Sequence, residues 1–154
     1  MSDVSVASRG SGSAFVDSWI WLEYALDGRY ADEAREVVRL VEDGSIRGHI
    51  NPLVTAEVAY RIENELGGDA RREILDVIDD LDVESIPLAD AKGHGKACAT
   101  VRNQSYSQSG GVTLSYADAM HVVSAVSAGC DVLYTGDPDF APVEEVEVAF
   151  VGHD

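Results

Sequence analysis

Four carboxylates in this chain stand where solvation alone is a poor reason for an acid: Asp17, Glu57, Asp118 and Asp137. Asp17 directly follows Ala14-Phe15-Val16, an apolar run that reads as a short buried strand. Asp137 follows a similar run, Val132-Leu133-Tyr134-Thr135, with Gly136 permitting a sharp turn and Pro138 barring continuation of the strand. Ligands of an open parallel sheet gather beyond the C-terminal ends of its strands, so these two acids are expected to meet. Asp139, two residues on, could add another oxygen donor. Glu57 lies inside a helix among Val54, Ala56, Val58 and Ala59, and Asp118 sits in the first turn of a helix opening near Ser115. Hard carboxylate oxygens that would repel one another in an empty site are the donors Mg²⁺ or Mn²⁺ takes.

Each acid also has a simpler explanation. Asp17-Ser18 could cap the helix that follows. Ser115-x-x-Asp118 resembles a capping box with Asp in place of Glu. Asp137-Pro138-Asp139 is ordinary turn chemistry, and Glu57 could face solvent and pair with Arg61 one helical turn later. No one of these signals is specific; their order along the chain is.

The elements that must position the acids can be read from apolar spacing. Helices are expected over Trp19–Leu26, Ala31–Glu42, Pro52–Glu65, Asp69–Leu81, Ala89–Asn103 and Ser115–Ala128. Asn51-Pro52 is a strong helix start, a side-chain cap followed by proline at the first helical position. Strands are expected at Ala14–Val16, Ile46–Ile50, Val83–Pro87, Val132–Thr135 and Val146–Val151, and residues 105–111 read as a polar loop. Strands alternating with helices imply right-handed crossovers and an α/β fold of three layers, with a mainly parallel central sheet.

With 154 residues the chain suits one domain, expected over 14–154 behind a small, polar, disordered segment 1–13. Nothing resembles a signal peptide or a membrane span of roughly 18 apolar residues. Two cysteines in no paired motif argue against a disulfide framework or a zinc site, so a reducing cytoplasm is expected. Twenty-eight acids against 11 bases give a net charge of −17. Such a surface suits a salt-rich cytoplasm, where screening shortens self-repulsion, and a halophilic source is expected. It argues against nucleic-acid binding through basic side chains alone, so bound metal would have to attract phosphate.

Weaker candidates surround the acids. Lys92-Gly93-His94-Gly95-Lys96 lacks the spacing and trailing Ser/Thr of a phosphate-binding loop and reads as a loose first helical turn. His121 reads as a satisfied histidine rather than a ligand. Trp19 and Trp21 could stack a base but more often serve a core or an interface. Arg29, Arg47, Arg61 and Arg102 are the candidate phosphate contacts.

The joint order of the motifs is similar to that of PIN-domain ribonucleases of the VapC-like toxin type. Phe15-Val16-Asp17-Ser18 resembles the family's opening strand and first acid, and Pro52-Leu53-Val54-Thr55-Ala56-Glu57 its second. Leu114-Ser115-Tyr116-Ala117-Asp118-Ala119 is similar to the third-acid motif. Thr135-Gly136-Asp137-Pro138-Asp139-Phe140 resembles the closing pattern, and the likeness runs from Ala14 to Val151. Trp19 departs from the small or polar residue usual at its position. The resemblance implies Asp17 and Asp118 as principal metal ligands, with Asp137 and Glu57 completing the site directly or through water. Thr135 would orient a carboxylate or a water, with Ser18 and Asp139 in support. It implies Mg²⁺- or Mn²⁺-dependent hydrolysis of RNA to 5′-phosphate and 3′-hydroxyl ends, a homodimer, and inhibition by a small antitoxin protein.

Two other classes compete. An Asp-based phosphotransfer or phosphatase domain also places an acid after its first strand, but both lysines, Lys92 and Lys96, lie away from the later strand ends. A catalytically inert PIN scaffold would have little reason to keep four mutually repelling acids.

Overall fold

The computed structural model describes residues 12–88, 90–109 and 113–152. Five strands form one sheet: β1 (Ser13–Val16), β2 (Arg47–Ile50), β3 (Glu84–Ser85), β4 (Val132–Thr135) and β5 (Glu147–Phe150). Their order is β3-β2-β1-β4-β5, and every pairing is parallel. Six α-helices lie among the described residues: α1 (Ser18–Ala25), α2 (Ala31–Glu42), α3 (Pro52–Leu66), α4 (Gly68–Asp80), α5 (Ala91–Ser109) and α6 (Tyr116–Ser127). The expected α/β architecture with a parallel sheet is the one observed.

Strand order explains the layering. From β1 the chain moves outward through β2 to β3, carrying α1 to α4 in its crossovers. It then returns past β1 to β4, carrying α5 and α6. Because parallel crossovers are right-handed, reversing direction puts α5 and α6 on the opposite face, giving three layers. The reversal also makes the gap between β1 and β4 the topological switch point, where a crevice opens beyond the strand ends.

Local chemistry sets each boundary. The sheet's centre is apolar on both faces, as a covered parallel sheet requires, with Ala14, Phe15, Val16 and Leu133 fully buried. In α2, Ala34, Val37, Val38 and Val41 fall on one face and are buried. Asn51 caps α3 as expected, its Oδ1 accepting the Val54 N–H at 3.0 Å ahead of Pro52. Gly67, at φ 98°, turns α3 into α4 in a conformation that a side chain would strain. Trp21 is fully buried, and its indole N–H donates to Val16 O at 3.2 Å, so its polar atom is satisfied in the core.

Several expected boundaries shift. The strand expected over Val83–Pro87 shortens to Glu84–Ser85, an edge pairing. The polar loop expected over 105–111 is replaced by helix as far as Ser109, because α5 keeps a buried face through Val101 and Ser105 and Arg102 Nε donates to Leu114 O at 2.8 Å. The segment Lys92–Lys96 lies within α5, with Asp90 Oδ1 accepting the Gly93 N–H at 3.0 Å. Most of the segment expected to be disordered, residues 1–11, lies outside the described residues, as does Ala89. Ser13, assigned to that segment, is instead the buried first residue of β1 and pairs in register with Arg47.

Candidate metal centre

The end of β1 delivers Asp17 into the switch-point crevice. Its backbone N–H still reaches Tyr134 O at 3.0 Å, so β1 and β4 hold it in the sheet until the chain turns into α1. Only 2% of Asp17 is exposed. One carboxylate oxygen accepts the Ser18 N–H at 2.8 Å, and the other accepts Thr135 Oγ1–H at 2.6 Å. Thr135, fully buried at the end of β4, also accepts the Asp137 N–H at 3.1 Å. One hydroxyl therefore ties the acid after β1 to the acid after β4.

The capping explanations hold alongside the clustering rather than against it. Asp17 is the N-cap of α1, yet its bond there goes to the adjacent N–H and leaves its carboxylate facing the crevice. Ser115 caps α6 by accepting the Asp118 N–H at 3.0 Å. Asp137 Oδ1 accepts the Asp139 N–H at 2.9 Å, forming the expected turn. A cavity of about 360 Å³ is lined by Asp17, Ser18, Trp19, Glu57, Asp118 and Asp137, together with Leu22, Tyr60, Arg61 and Ser115.

The electrostatics of that cavity are unfavourable to like charges. Burial pushes the Asp17 carboxyl upward against the opposing pull of His121 and Thr135, and Glu57 adds to the rise. Burial, with the nearby Asp17 and then Asp137, lifts Asp118 to about 7. Glu57 moves the other way: burial would raise it, but hydrogen bonds from His121 and Ser18 and the nearby Arg61 guanidinium together bring it below its ordinary value. Donor atoms from Asp17, Asp118 and His121 lie within 4.8 Å of one another. Converging oxygen donors, two of them shifted toward the neutral form by burial and by one another's charge, fit a hard divalent cation. Asp17 and Asp118 are the residues placed to hold it, with Glu57 and Asp137 on the same wall.

The weaker candidates separate by position. Asp139 is exposed and contributes its backbone N–H to the Asp137 turn; it is not among the lining residues. Of the four arginines, Arg61 alone lines the cavity, and its guanidinium pairs with Glu65 Oε2 at 2.9 Å. Arg47 begins β2 and so sits at the opposite, N-terminal end of the sheet. Arg102 lies over the Tyr116 ring at 3.8 Å and Arg29 over the Tyr30 ring at 5.3 Å. Arg35, Arg39, Arg71 and Arg72 are all paired with nearby acids. Trp21 belongs to the core, whereas half-buried Trp19 forms part of the cavity wall.

Trp19 rests on the Gly136 backbone: a Cβ at position 136 would come within 2.3 Å of the indole carbons, far inside contact distance. Gly136→Ala is therefore expected to expel the ring and cost about 1–3 kcal/mol. Urea unfolding reads the cost, and a red shift of tryptophan emission reads the displaced indole. An unchanged spectrum with unchanged stability would remove the close approach from the account.

His121 and Asn51 were not expected at the site. Both are fully buried, and His121 Nε2 lies 3.1 Å from Glu57 Oε1 and 3.7 Å from Asp17 Oδ1. The spacing of His121 three residues after Asp118 was the available signal, since it puts both on one face of α6.

Comparison with known proteins adds the family context. Residues 14–146 match the family model described as PIN domain. No curated protein in the comparison matches the chain. Among solved structures, the chain is similar to VapBC2 from Rickettsia felis bound to a promoter DNA fragment, with TM-score 0.71 and 14% identity over 91% of this chain and 99% of that one. It is similar to DNA-bound VapBC from Salmonella typhimurium, with TM-score 0.67 and 15% identity over 88% and 96% of the two chains. It is also similar to the sarcin-ricin-loop-cleaving toxin VapC20 of Mycobacterium tuberculosis, with TM-score 0.59 and 18% identity over 87% and 98%.

Proposed function

The chain belongs to the PIN-domain family, and on that premise we propose that it is a Mg²⁺- or Mn²⁺-dependent endoribonuclease, the toxin of a VapBC-type toxin–antitoxin pair. The observation that carries the reading is the cavity at the β1–β4 switch point, where Asp17, Glu57, Asp118 and Asp137 converge. Bound divalent metal supplies there a lowered pKa for water and neutralisation of charge on a phosphodiester.

The chain's own residues have separable tasks in this reading. Asp17 and Asp118 hold the cation, and Asp137 and Glu57 complete the donor set. Thr135 keeps the Asp17 carboxylate aimed into the cavity through its 2.6 Å hydrogen bond, and Ser18 steadies its other oxygen. Trp19, Leu22 and exposed Tyr60 form the apolar part of the wall, and its two aromatic rings are where a base rather than a phosphate would rest. Among the described residues Arg61 is the one basic side chain on that wall, so the acids need the cation to make the cavity attractive to RNA.

The same reading takes the protein as a cytoplasmic homodimer silenced by a small antitoxin, the antitoxin being supported by the likeness to toxin–antitoxin complexes. No helix among the described residues is long and apolar enough to cross a membrane. The net charge of −17 supports a halophilic setting, tested by circular dichroism against KCl, where indifference to salt would count against it. The function itself is tested by incubating the protein with total RNA and Mn²⁺ and sequencing the ends. Cleavage leaving 5′-phosphates, absent with EDTA, is expected; intact RNA, or cleavage that survives EDTA, would overturn the proposal.

A further inference from the structure

The geometry points to His121 as a positioning residue whose Nε2–H aims the Glu57 carboxylate, its tautomer set by Asn51, and which stays outside the coordination of the cation. A backbone N–H can only donate. Val54 N–H lies 3.0 Å from the Asn51 side chain, so the atom facing it is the amide oxygen. The Asn51 amide nitrogen must then point the other way. It lies 3.0 Å from Ser124 Oγ and 3.1 Å from His121 Nδ1. A ring nitrogen facing an N–H₂ group presents a lone pair, so the ring's proton resides on Nε2. Nε2 faces Glu57 Oε1 at 3.1 Å and Asp17 Oδ1 at 3.7 Å, both acceptors.

This ordering of donors decides between two roles that distance alone leaves equal. His121 lies close enough to Asp17 and Asp118 to be counted as a third metal ligand. A nitrogen carrying a proton has no lone pair for a cation, so the ring serves the acid beside it instead. Asn51, Ser124 and His121 are each buried to 1% exposure or less, so the bonds that set the ring's tautomer are shielded from competing water. The Phe15 ring, 5.3 Å from the imidazole centroid, closes one side of its slot. Partners of this kind behind a metal site are worth about 10–100-fold in metal affinity or activity.

The role of His121 toward the cation rests on the proposed metal site, but its tautomer does not, and the test separates the two. Histidine ¹⁵N–¹H spectra of the metal-free protein, with His121 assigned by its loss in His121→Gln, should show a protonated Nε2 and a bare Nδ1. They should show the same after addition of Mg²⁺. A proton on Nδ1, or loss of the Nε2 proton on adding Mg²⁺, would overturn the inference. Mg²⁺ titration calorimetry supplies the second reading. His121→Phe, which fills the slot without a donor, should weaken binding about 10–100-fold, whereas His121→Gln, which can offer an N–H near the same point, should stay within a few-fold of wild type. Equal loss in both variants would make His121 a ligand, and no loss in either would make it filler; both outcomes overturn the proposal. Failure of the wild type to bind any divalent ion would sink the metal site while leaving the tautomer result to stand or fall by itself.

Discussion

Asp17→Asn and Asp118→Asn are each expected to lower RNA cleavage about 10³-fold or more while leaving the fold intact. A bound cation contributes several kcal/mol of charge stabilisation in phosphodiester hydrolysis, and every 1.4 kcal/mol is about a factor of ten in rate. Replacing one anionic oxygen by an amide weakens the donor set at its most buried point. Neither substitution should unfold the protein. Asn is nearly isosteric with Asp, and burial already holds both carboxyls above their ordinary values. The measurement is single-turnover cleavage of an RNA that the wild type cuts, with circular dichroism as the check on folding. Full activity in either folded variant would contradict the assignment.

The second large effect is on stability. Asp118 titrates near 7 in the fold against an ordinary 3.8, and Asp17 is raised as well. Between those values the folded state binds more protons on Asp118 than the unfolded chain does, so the stability Asp118 contributes without metal is fully present below about pH 4 and is lost as pH rises through 7, with Asp17 acting in the same direction. Glu57 acts in the opposite sense, but only around and below its ordinary 4.5, outside a comparison of pH 5.5 with 7.5. For Asp118 each pH unit is worth at most about 1.4 kcal/mol, and its partial exposure reduces the total between pH 5.5 and 7.5 to about 1–2 kcal/mol. In EDTA the Tm should accordingly be about 3–6 °C lower at pH 7.5 than at pH 5.5. Mn²⁺ at about 100 times its Kd should restore about 2.7 kcal/mol at pH 7.5. Asp118→Asn should flatten both responses. A metal-free Tm that rises from pH 5.5 to 7.5 would show that the acids are not crowded in the way the fold implies.

How much of this was legible beforehand depends on the kind of signal. Asp17 and Asp137 could be placed together because each follows an apolar run whose C-terminal end, in a parallel sheet, marks the ligand side. The same logic disposes of Arg47: as the first residue of β2 it stands at the wrong end, a conclusion strand polarity alone would have allowed. The cap at Asn51 was legible as local chemistry, but its second task was not. The amide that caps α3 also meets His121, 70 residues away in sequence, and no periodicity reports a contact of that separation. The length of α5 escaped because Ser105 to Ser109 is uniformly polar and reads as loop, whereas a single buried face, seen only in three dimensions, keeps it helical. Glu57 is a mixed case. Its helix and its inward aim were expected, but the partner that aims it comes from α6.

The charge of the molecule also changes meaning once the site is built. Read along the chain, −17 argued against nucleic acid. Seen in the fold, five arginines are engaged with neighbouring acids, Arg61 among them, and the cavity presents four carboxylates. On the proposed reading, RNA binding is expected to be conditional on the cation, and steeper in metal concentration than in the number of basic side chains.

Titration calorimetry of the metal-free protein with Mn²⁺ at pH 7.5 tests the central claim most directly. Saturable binding is expected, accompanied by release of a fraction of a proton from Asp118 and detected as heat that varies with the buffer's ionisation enthalpy, with loss of that binding in the Asp17→Asn, Asp118→Asn double variant. Binding of equal affinity in the double variant, or no binding to the wild type, would contradict it.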